Sequence, residues 1–245
     1  GVEEFLNRRN PERQAGGYSR WDATVHFYQR IDALIAPDMT LLDLGAGRGK
    51  YLDDACAYRR RLQSFKGRVA RVVGMDPDPV VLSNPGLDEA HVIEPGRLPA
   101  ADASFDLIVS DWVLEHVAEP GDFAAEVARI LKPGGWFCAR TPNAWSPVAL
   151  ATRLVPNALH ARLLRRVQPD RKARDVFPTA YRLNTPGALK RYFEPARWRH
   201  ASYRWRTDPA YFFGSPLVWS ATSLAAGLSP EGLRHTMLVF LQRRA

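Results

Sequence analysis

A doubly wound α/β domain with a mainly parallel sheet is the fold class predicted by this sequence of 245 residues. Three observations predict it. The apolar run Thr40 to Leu44 ends in Gly45-Ala46-Gly47-Arg48-Gly49 and passes into a helical pattern from Lys50 to about Leu62, which is strand, glycine turn, helix. Short β-rich runs and helical periods then alternate as far as Arg140, an order that sets parallel strands side by side under helices on both faces. An apolar fraction of 46% at this length supplies one full core and an elaboration, not two packed domains of ordinary size.

Each element has its own signal. Trp21, Val25, Tyr28, Ile31, Leu34 and Ile35 recur at helical spacing, so Trp21 to Ile35 is an amphipathic helix ahead of the sheet. After the glycine turn, Ala70 to Met75 is a strand closing on Asp76, His91 to Ile93 a short one, and Phe105 to Ser110 a fourth. Phe123 to Leu131 is a helix stopped by Lys132-Pro133-Gly134-Gly135, and Trp136 to Arg140 is a fifth strand. Beyond Thr141 the pattern predicts short helices at Val148–Val155 and Ala158–Val167, and another that Asn184-Thr185-Pro186 caps and that runs to about Phe193. Trp198–Arg206 and His235–Arg243 are rich in β-formers, and Ser215-Pro216 opens a helix with Leu217, Ala221, Leu224 and Ala225 on one face.

Charge is unevenly spread. Thr141–Ala245 hold 17 Lys/Arg against 5 Asp/Glu, whereas residues 1–140 hold 17 against 21. A basic half favours an anionic partner: nucleic acid, a membrane surface or a phosphate-bearing substrate. Arginine outnumbers lysine throughout, however, which GC-rich coding produces without any partner. Cys56 and Cys138 fall in no metal-ligand spacing and no disulfide framework, so no metal is expected and a reducing cytosol is the default location. No basic segment with an apolar core opens the chain, and Gly1 in the first place reads as a processing scar. The uncharged run Pro209–Pro230 is interrupted by Gly214, Pro216, Gly227 and several Ser/Thr, so a membrane span is not expected there.

The chemistry begins at the glycine turn. Glycine at the end of a buried strand lets backbone approach a ligand closely, and the helix that follows presents free N–H groups to it. Asp76, closing the next strand, is placed to accept hydrogen bonds from both ribose hydroxyls of a nucleoside.

Leu42-Asp43-Leu44-Gly45-Ala46-Gly47-Arg48-Gly49 and Val73-Gly74-Met75-Asp76 resemble the first motif and the acidic second-strand end of the class I S-adenosylmethionine-dependent methyltransferases, in their small-molecule and glycan-modifying branch. Leu98-Pro99, Ser104 to Ser110, Leu114-Glu115-His116-Val117 and Leu131-Lys132-Pro133-Gly134-Gly135 follow in that family's order and spacing, so the resemblance covers about Leu41 to Asn143. It implies a seven-stranded sheet with an antiparallel last strand and a helical insertion after the fifth. It also implies one domain over 1–245, made of an N-terminal helical segment (1–36), a cofactor-binding half (37–143), a lid for the acceptor (144–193) and C-terminal strands with a helix (194–245). The implied cofactor is S-adenosyl-L-methionine. Gly45, Ala46 and Gly47 would pass under it, Asp43 would orient its amino end, and Asp76 with Pro77 would hold the ribose. Ser110 and Asp111 would lie near the transferring methyl, and Glu94-Pro95 would meet the adenine. Pro95 departs from the family pattern, since proline has no N–H to give the ring; the Gly96 amide is the substitute. A dinucleotide dehydrogenase is disfavoured because Lys50 stands where G-x-G-x-x-G needs its last glycine.

Methyl transfer from a sulfonium mainly requires alignment, and a hydroxyl acceptor also requires loss of its proton. His116 is the candidate base, with Glu115, Asp111 and His160 as rivals. Ser110-Asp111-Trp112-Val113 lacks the Asn/Asp-Pro-Pro-aromatic run of base-methylating DNA enzymes, and Cys138 reads as core rather than nucleophile. The expected activity is O-methylation of a sugar, glycan or lipid-linked small molecule. Thr141-Pro142-Asn143, Asp175 to Thr179 and Tyr181 to Thr185 resemble bacterial relatives acting on surface glycans and lipid-linked substrates. Arg162, Arg165, Arg166, Arg171, Lys172 and Arg174 are placed to meet an anionic group on the acceptor. The alternatives are an RNA-associated methyltransferase and a cofactor-binding module without acceptor chemistry. Peripheral contact with the inner face of a membrane extends the cytoplasmic expectation, and nucleic acid is the less favoured partner.

Overall fold

The computed structural model describes residues 2–94, 96–147, 149–150, 179–208 and 215–245. In chain order its helices are α1 (Val2–Arg9), α2 (Ala23–Asp32), α3 (Ala57–Gln63), α4 (Pro120–Ile130), α5 (Pro186–Tyr192) and α6 (Pro216–Leu228). Its strands are β1 (Thr40–Leu44), β2 (Arg71–Asp76), β3 (Glu89–Val92), β4 (Phe105–Asp111), β5 (Leu131–Pro142), β6 (Trp198–His200), β7 (Tyr203–Trp205) and β8 (Thr236–Arg243). They form one sheet in the order β3-β2-β1-β4-β5-β8-β6, with β7 also paired to β8. Strands β1 to β5 run parallel, and β8 runs antiparallel to β5, β6 and β7. This is the doubly wound arrangement that the sequence predicts. The strand order reverses between β1 and β4, so the C-terminal ends of β1, β2 and β4 open onto one crevice.

The strands are apolar on both faces because each face is covered. Leu42 and Leu44 face a core built with Val127 and Ile130 of α4, Leu189 of α5 and Phe193. Their neighbour Leu41 faces the opposite core, with Phe27 and Ile31 of α2 and Leu62 of α3. Asp106 of β4 fixes the sheet's lower edge. It accepts the Thr40 amide at 2.9 Å and both of its oxygens accept from Lys132 Nζ, at 2.8 and 2.9 Å. The Phe-Asp and Leu-Lys-Pro-Gly-Gly motifs therefore act here as one clamp joining β1, β4 and the start of β5.

Three sequence expectations are corrected. The helix expected from Lys50 to Leu62 is a 3-10 turn (Lys50–Asp53) and then α3. Asp54 breaks it: its carboxylate accepts the Cys56 amide at 2.8 Å and is held by Arg59, which favours an extended residue there. The strand expected at His91–Ile93 starts earlier, at Glu89, where Val73 sets the register. The run Trp198–Arg206 divides into β6 and β7, because Ala201 and Ser202 both bond to Phe240 and leave the strand direction. The two pieces share one strand position, so eight segments fill seven places in the sheet. At α6, Leu217 and Leu224 share a face as expected; that face points outward, at 83% and 64% exposure, while Trp219 and Ala226 are buried. Of the helix expected at Val148–Val155 only Ala149 and Leu150 are described, and both are helical; the rest of it, the helix expected at Ala158–Val167 and the segment Asp175 to Pro178 lie outside the described residues. Among the described residues no helix is long and apolar enough to cross a membrane.

Candidate active site

The glycine turn after β1 is held in place by the strand and loop beside it. The Gly45 amide donates to the Met75 carbonyl at 2.7 Å, and Gly45 adopts φ +88°, where a Cβ would stand 2.2 Å from Val113 Cγ2. Only glycine lets the turn and the segment after β4 approach so closely. Gly47 donates its amide to Asp76 Oδ2 at 2.9 Å, while Asp76 Oδ1 accepts the Asp78 amide at 2.8 Å. A Cβ at Gly47 would meet nothing within 4 Å, so the turn's outer side is open space for a ligand. Asn84 completes the turn. Its Nδ2 donates to the carbonyls of Ala46 and Gly47, both at 3.2 Å, and a Cβ on Gly49 would fall 2.5 Å from its Oδ1.

Three carboxylates gather at this edge. Asp43 is pushed up to about 7, first by burial and then by the charges of Asp111 and Asp76. Asp76 is also raised by burial, against the lowering effect of the two amides it accepts. Asp111 is neutralised from β5. Arg140 Nε donates to Oδ1 and a terminal guanidinium nitrogen to Oδ2, both at 2.7 Å, and the Tyr28 hydroxyl donates to Oδ2 at 3.1 Å. Asp76, joined by Asp43 once it ionises above about pH 7, gives negative potential around an open glycine turn. S-adenosyl-L-methionine, with a sulfonium, an ammonium and a ribose diol, fits that donor set: Asp76 would take the diol and Asp43 the cationic end.

At the end of β4 the chain turns sharply. Trp112 adopts φ +59°, an outlier for a bulky side chain, and its amide donates to the Arg140 carbonyl at 2.9 Å. Its ring is 43% exposed and Arg140 lies 5.1 Å from the ring centre. Next comes a 3-10 turn, Leu114–His116. Glu115 in it is buried and accepts the Thr141 hydroxyl at 2.9 Å, while Asn184 donates to Thr141 Oγ1 at 2.6 Å and to the Pro142 carbonyl at 2.9 Å. The Glu115 carbonyl accepts the amides of Ala180 and Tyr181. Burial raises the Glu115 carboxyl above its usual range. This network ties the turn to the end of β5 and to the approach to α5. His116 stands half-buried beside it, its amide bonded to the Val113 carbonyl at 2.8 Å.

The structure thus gathers Asp43, Gly45, Ala46, Gly47, Asp76, Ser110, Asp111 and His116 at one edge of the sheet. Ser110 is fully buried, and among the described residues its hydroxyl has no partner. Pro77 and Glu94 are exposed beyond the ends of β2 and β3. Pro95, His160, Arg162, Arg165, Arg166, Arg171, Lys172 and Arg174 lie outside the described residues. Cys138 is a fully buried core residue of β5 whose thiol is raised by burial, the opposite of an activated nucleophile. Sequence reasoning missed Asn84, Arg140, Tyr28, Thr141 and Asn184. Asn184-Thr185 stands in the sequence as a cap signal, but nothing local shows that Asn184 reaches back to Thr141 and Pro142.

Comparison with known proteins agrees with this geometry. Residues 42–139 match the family described as Methyltransferase domain. The ubiquinone biosynthesis O-methyltransferase of Methylobacterium sp. (strain 4-46) is 35% identical over 156 residues, 58% of this chain and 56% of that protein. The chain spans about half the length of the curated relatives it matches. A Haloferax volcanii methyltransferase, solved in complex with the Trm112 methyltransferase activator, superposes with a TM-score of 0.58 at 17% identity, covering 100% of this chain and 98% of that one. Geranyl diphosphate C-methyltransferase from Streptomyces coelicolor A3(2), solved with Mg2+, geranyl diphosphate and S-adenosyl-L-homocysteine, gives 0.56 at 15% identity, over 90% and 78% of the two chains. The chain has the fold of the class I S-adenosylmethionine-dependent methyltransferases, and its residues 42–139 match the methyltransferase domain family.

Proposed function

We propose that this chain transfers the methyl group of S-adenosyl-L-methionine to a hydroxyl of a small-molecule acceptor. The observation that carries this reading is the open glycine turn at Gly47, with Asp76 bonded to its amide and Asp43, close enough to Asp76 to feel its charge, at the end of β1: two carboxyls that a cationic nucleoside would hold ionised. When bound, the cofactor supplies an electrophilic methyl on a good leaving group. The chain's own part is to orient, to exclude water and to take a proton.

His116 is the general base in this reading. Two rivals are committed elsewhere: Asp111 is closed by Arg140 and Tyr28, and Glu115 holds Thr141 in a buried network. His116 sits on the turn after β4, at the crevice edge, with part of its surface open.

The acceptor is a quinol-like or phosphate-bearing molecule, with a lipid-linked glycan as the extension. The O-methyltransferase activity of the Methylobacterium relative supports oxygen as the methylated atom, and the diphosphate bound by the Streptomyces neighbour suggests the anionic class. The basic half of the chain suits such a group. Support for the glycan itself is thinner, since Thr141 and Asn143 in the shared Thr-Pro-Asn motif bond within the protein. The test is radiolabelled methyl transfer to ubiquinol precursors, isoprenoid diphosphates, lipid-linked sugars and RNA, alongside calorimetry with the cofactor. Label entering a hydroxyl-bearing small molecule is the expected result. Label in RNA alone, or cofactor binding with transfer to none of these, would overturn it.

A further inference from the structure

Helix α6 presents its apolar side to the outside. Leu217, Ala221, Leu224 and Leu228 follow at i, i+4, i+7 and i+11, one stripe of a helix about 20 Å long. The three leucines are 83%, 64% and 76% exposed, and the helix carries no charged residue. Its inner side is mostly small and polar and is fixed at two points. Trp219 packs edge-on against Phe5 of α1 at 5.6 Å, and Arg206 donates to the Ser223 carbonyl at 3.2 Å. An outward leucine stripe of this kind marks a contact surface.

Beside the stripe lies a groove of about 400 Å³, bounded by Arg9, Arg206, Trp219, Ser223, Leu224 and Leu228. Among the described residues no carboxylate lines it. Trp219 is 5% exposed, and among the described residues its indole N–H has no acceptor. Two guanidinium groups and an unsatisfied donor beside leucines match an anionic headgroup whose acyl chains meet the stripe. Asp208, two residues beyond Arg206, is taken up by Ser19 and Asn10. A second copy is the weaker occupant, because a two-fold contact through this helix would bring the arginines of one chain toward those of the other.

We propose that α6 and the Arg9/Arg206 groove dock this protein on the surface of an anionic bilayer, the leucine stripe entering the headgroup layer and the arginines meeting phosphates. The groove lies toward the same end of the sheet as the crevice: Arg206 follows Trp205, which pairs with Thr236, and Thr236 pairs with Pro142 at the end of β5. Docking there would bring the crevice to the interface, whatever the acceptor.

Flotation of the full chain with vesicles of equal parts phosphatidylglycerol and phosphatidylcholine, against phosphatidylcholine alone, tests this. The wild type is expected to prefer the anionic vesicles by roughly tenfold or more. L217Q/L224Q/L228Q is expected to lose that binding with unchanged cofactor affinity, which shows that it is folded. R9Q/R206Q is expected to bind weakly and with a flatter salt dependence. Sedimentation velocity on the same samples follows self-association. Wild type that ignores anionic vesicles, a leucine variant that binds them as well as wild type, or a wild-type dimer that the leucine variant dissolves would each overturn the proposal.

Discussion

Arg140 and Asp111 face each other across neighbouring strands, register partners on β5 and β4 joined by two bonds of 2.7 Å. The guanidinium is buried, and it also reaches the Thr24 hydroxyl of α2, so one side chain joins both strands to the N-terminal helix.

Removing one partner should cost more than removing both. Arg140→Met leaves the half-buried Asp111 unpaired close to Asp43 and is expected to lower stability by about 3 kcal/mol. Asp111→Asn combined with Arg140→Met should regain a large part of that. Urea unfolding measures both, and equal stability of the single and double variants would show that the pair contributes nothing beyond packing.

Asp43 makes the free protein sensitive to pH. Folded, it keeps its proton up to about pH 7, whereas in the unfolded chain it ionises near 4. The folded state therefore holds the extra proton between those values, and stability falls as pH rises through that window. Asp43→Asn should leave stability unchanged near pH 4 and raise it near pH 8, by an amount on the order of 2 kcal/mol. The same variant should bind the cofactor less well. In the wild type, cofactor affinity should climb as pH rises toward and past 7, because a cationic ligand favours the ionised carboxylate. A pH-independent affinity would separate Asp43 from the cofactor.

Asp76→Ala is expected to weaken cofactor binding by several-fold to a hundredfold, about 1–3 kcal/mol. The variant also frees the Gly47 and Asp78 amides, so calorimetry should show a loss of binding enthalpy. Unchanged affinity in a folded variant would remove Asp76 from the site.

His116→Ala should lower turnover by roughly two to four decades while cofactor affinity stays nearly constant. Single-turnover transfer to an accepted substrate gives the number. Normal turnover would leave His116 as a residue of the turn and nothing more.

The site was legible where its chemistry is local. Gly45, Gly47 and Asp76 announce themselves because a tight turn and a strand-ending carboxylate are written in adjacent residues. Asp106 and Lys132 were legible as motif, but their shared work in clamping three strands needs the β4 to β5 pairing to be seen. Arg140 and Asn84 were not legible, since each acts on residues about 30 to 40 positions away in sequence. The apolar stripe of α6 was read correctly as a stripe. Periodicity gives the face and not its direction, and only the burial of Trp219 and Ala226 shows which side the protein uses.

The placement of β8 sets a condition on how the molecule assembles. Strand β8 joins β5 on one side to β6 and β7 on the other, and it leaves the ribosome after all of them. Until Thr236–Arg243 emerge, β5 has a bare edge, and the segment carrying β6 and β7 has no sheet to join. The parallel half can collapse early around its own contacts, but closure waits for a pairing that reaches back about 100 residues. Nascent chains stalled before β8 should therefore expose Phe137 and Ala139 along an open edge, where chaperones bind and like edges aggregate.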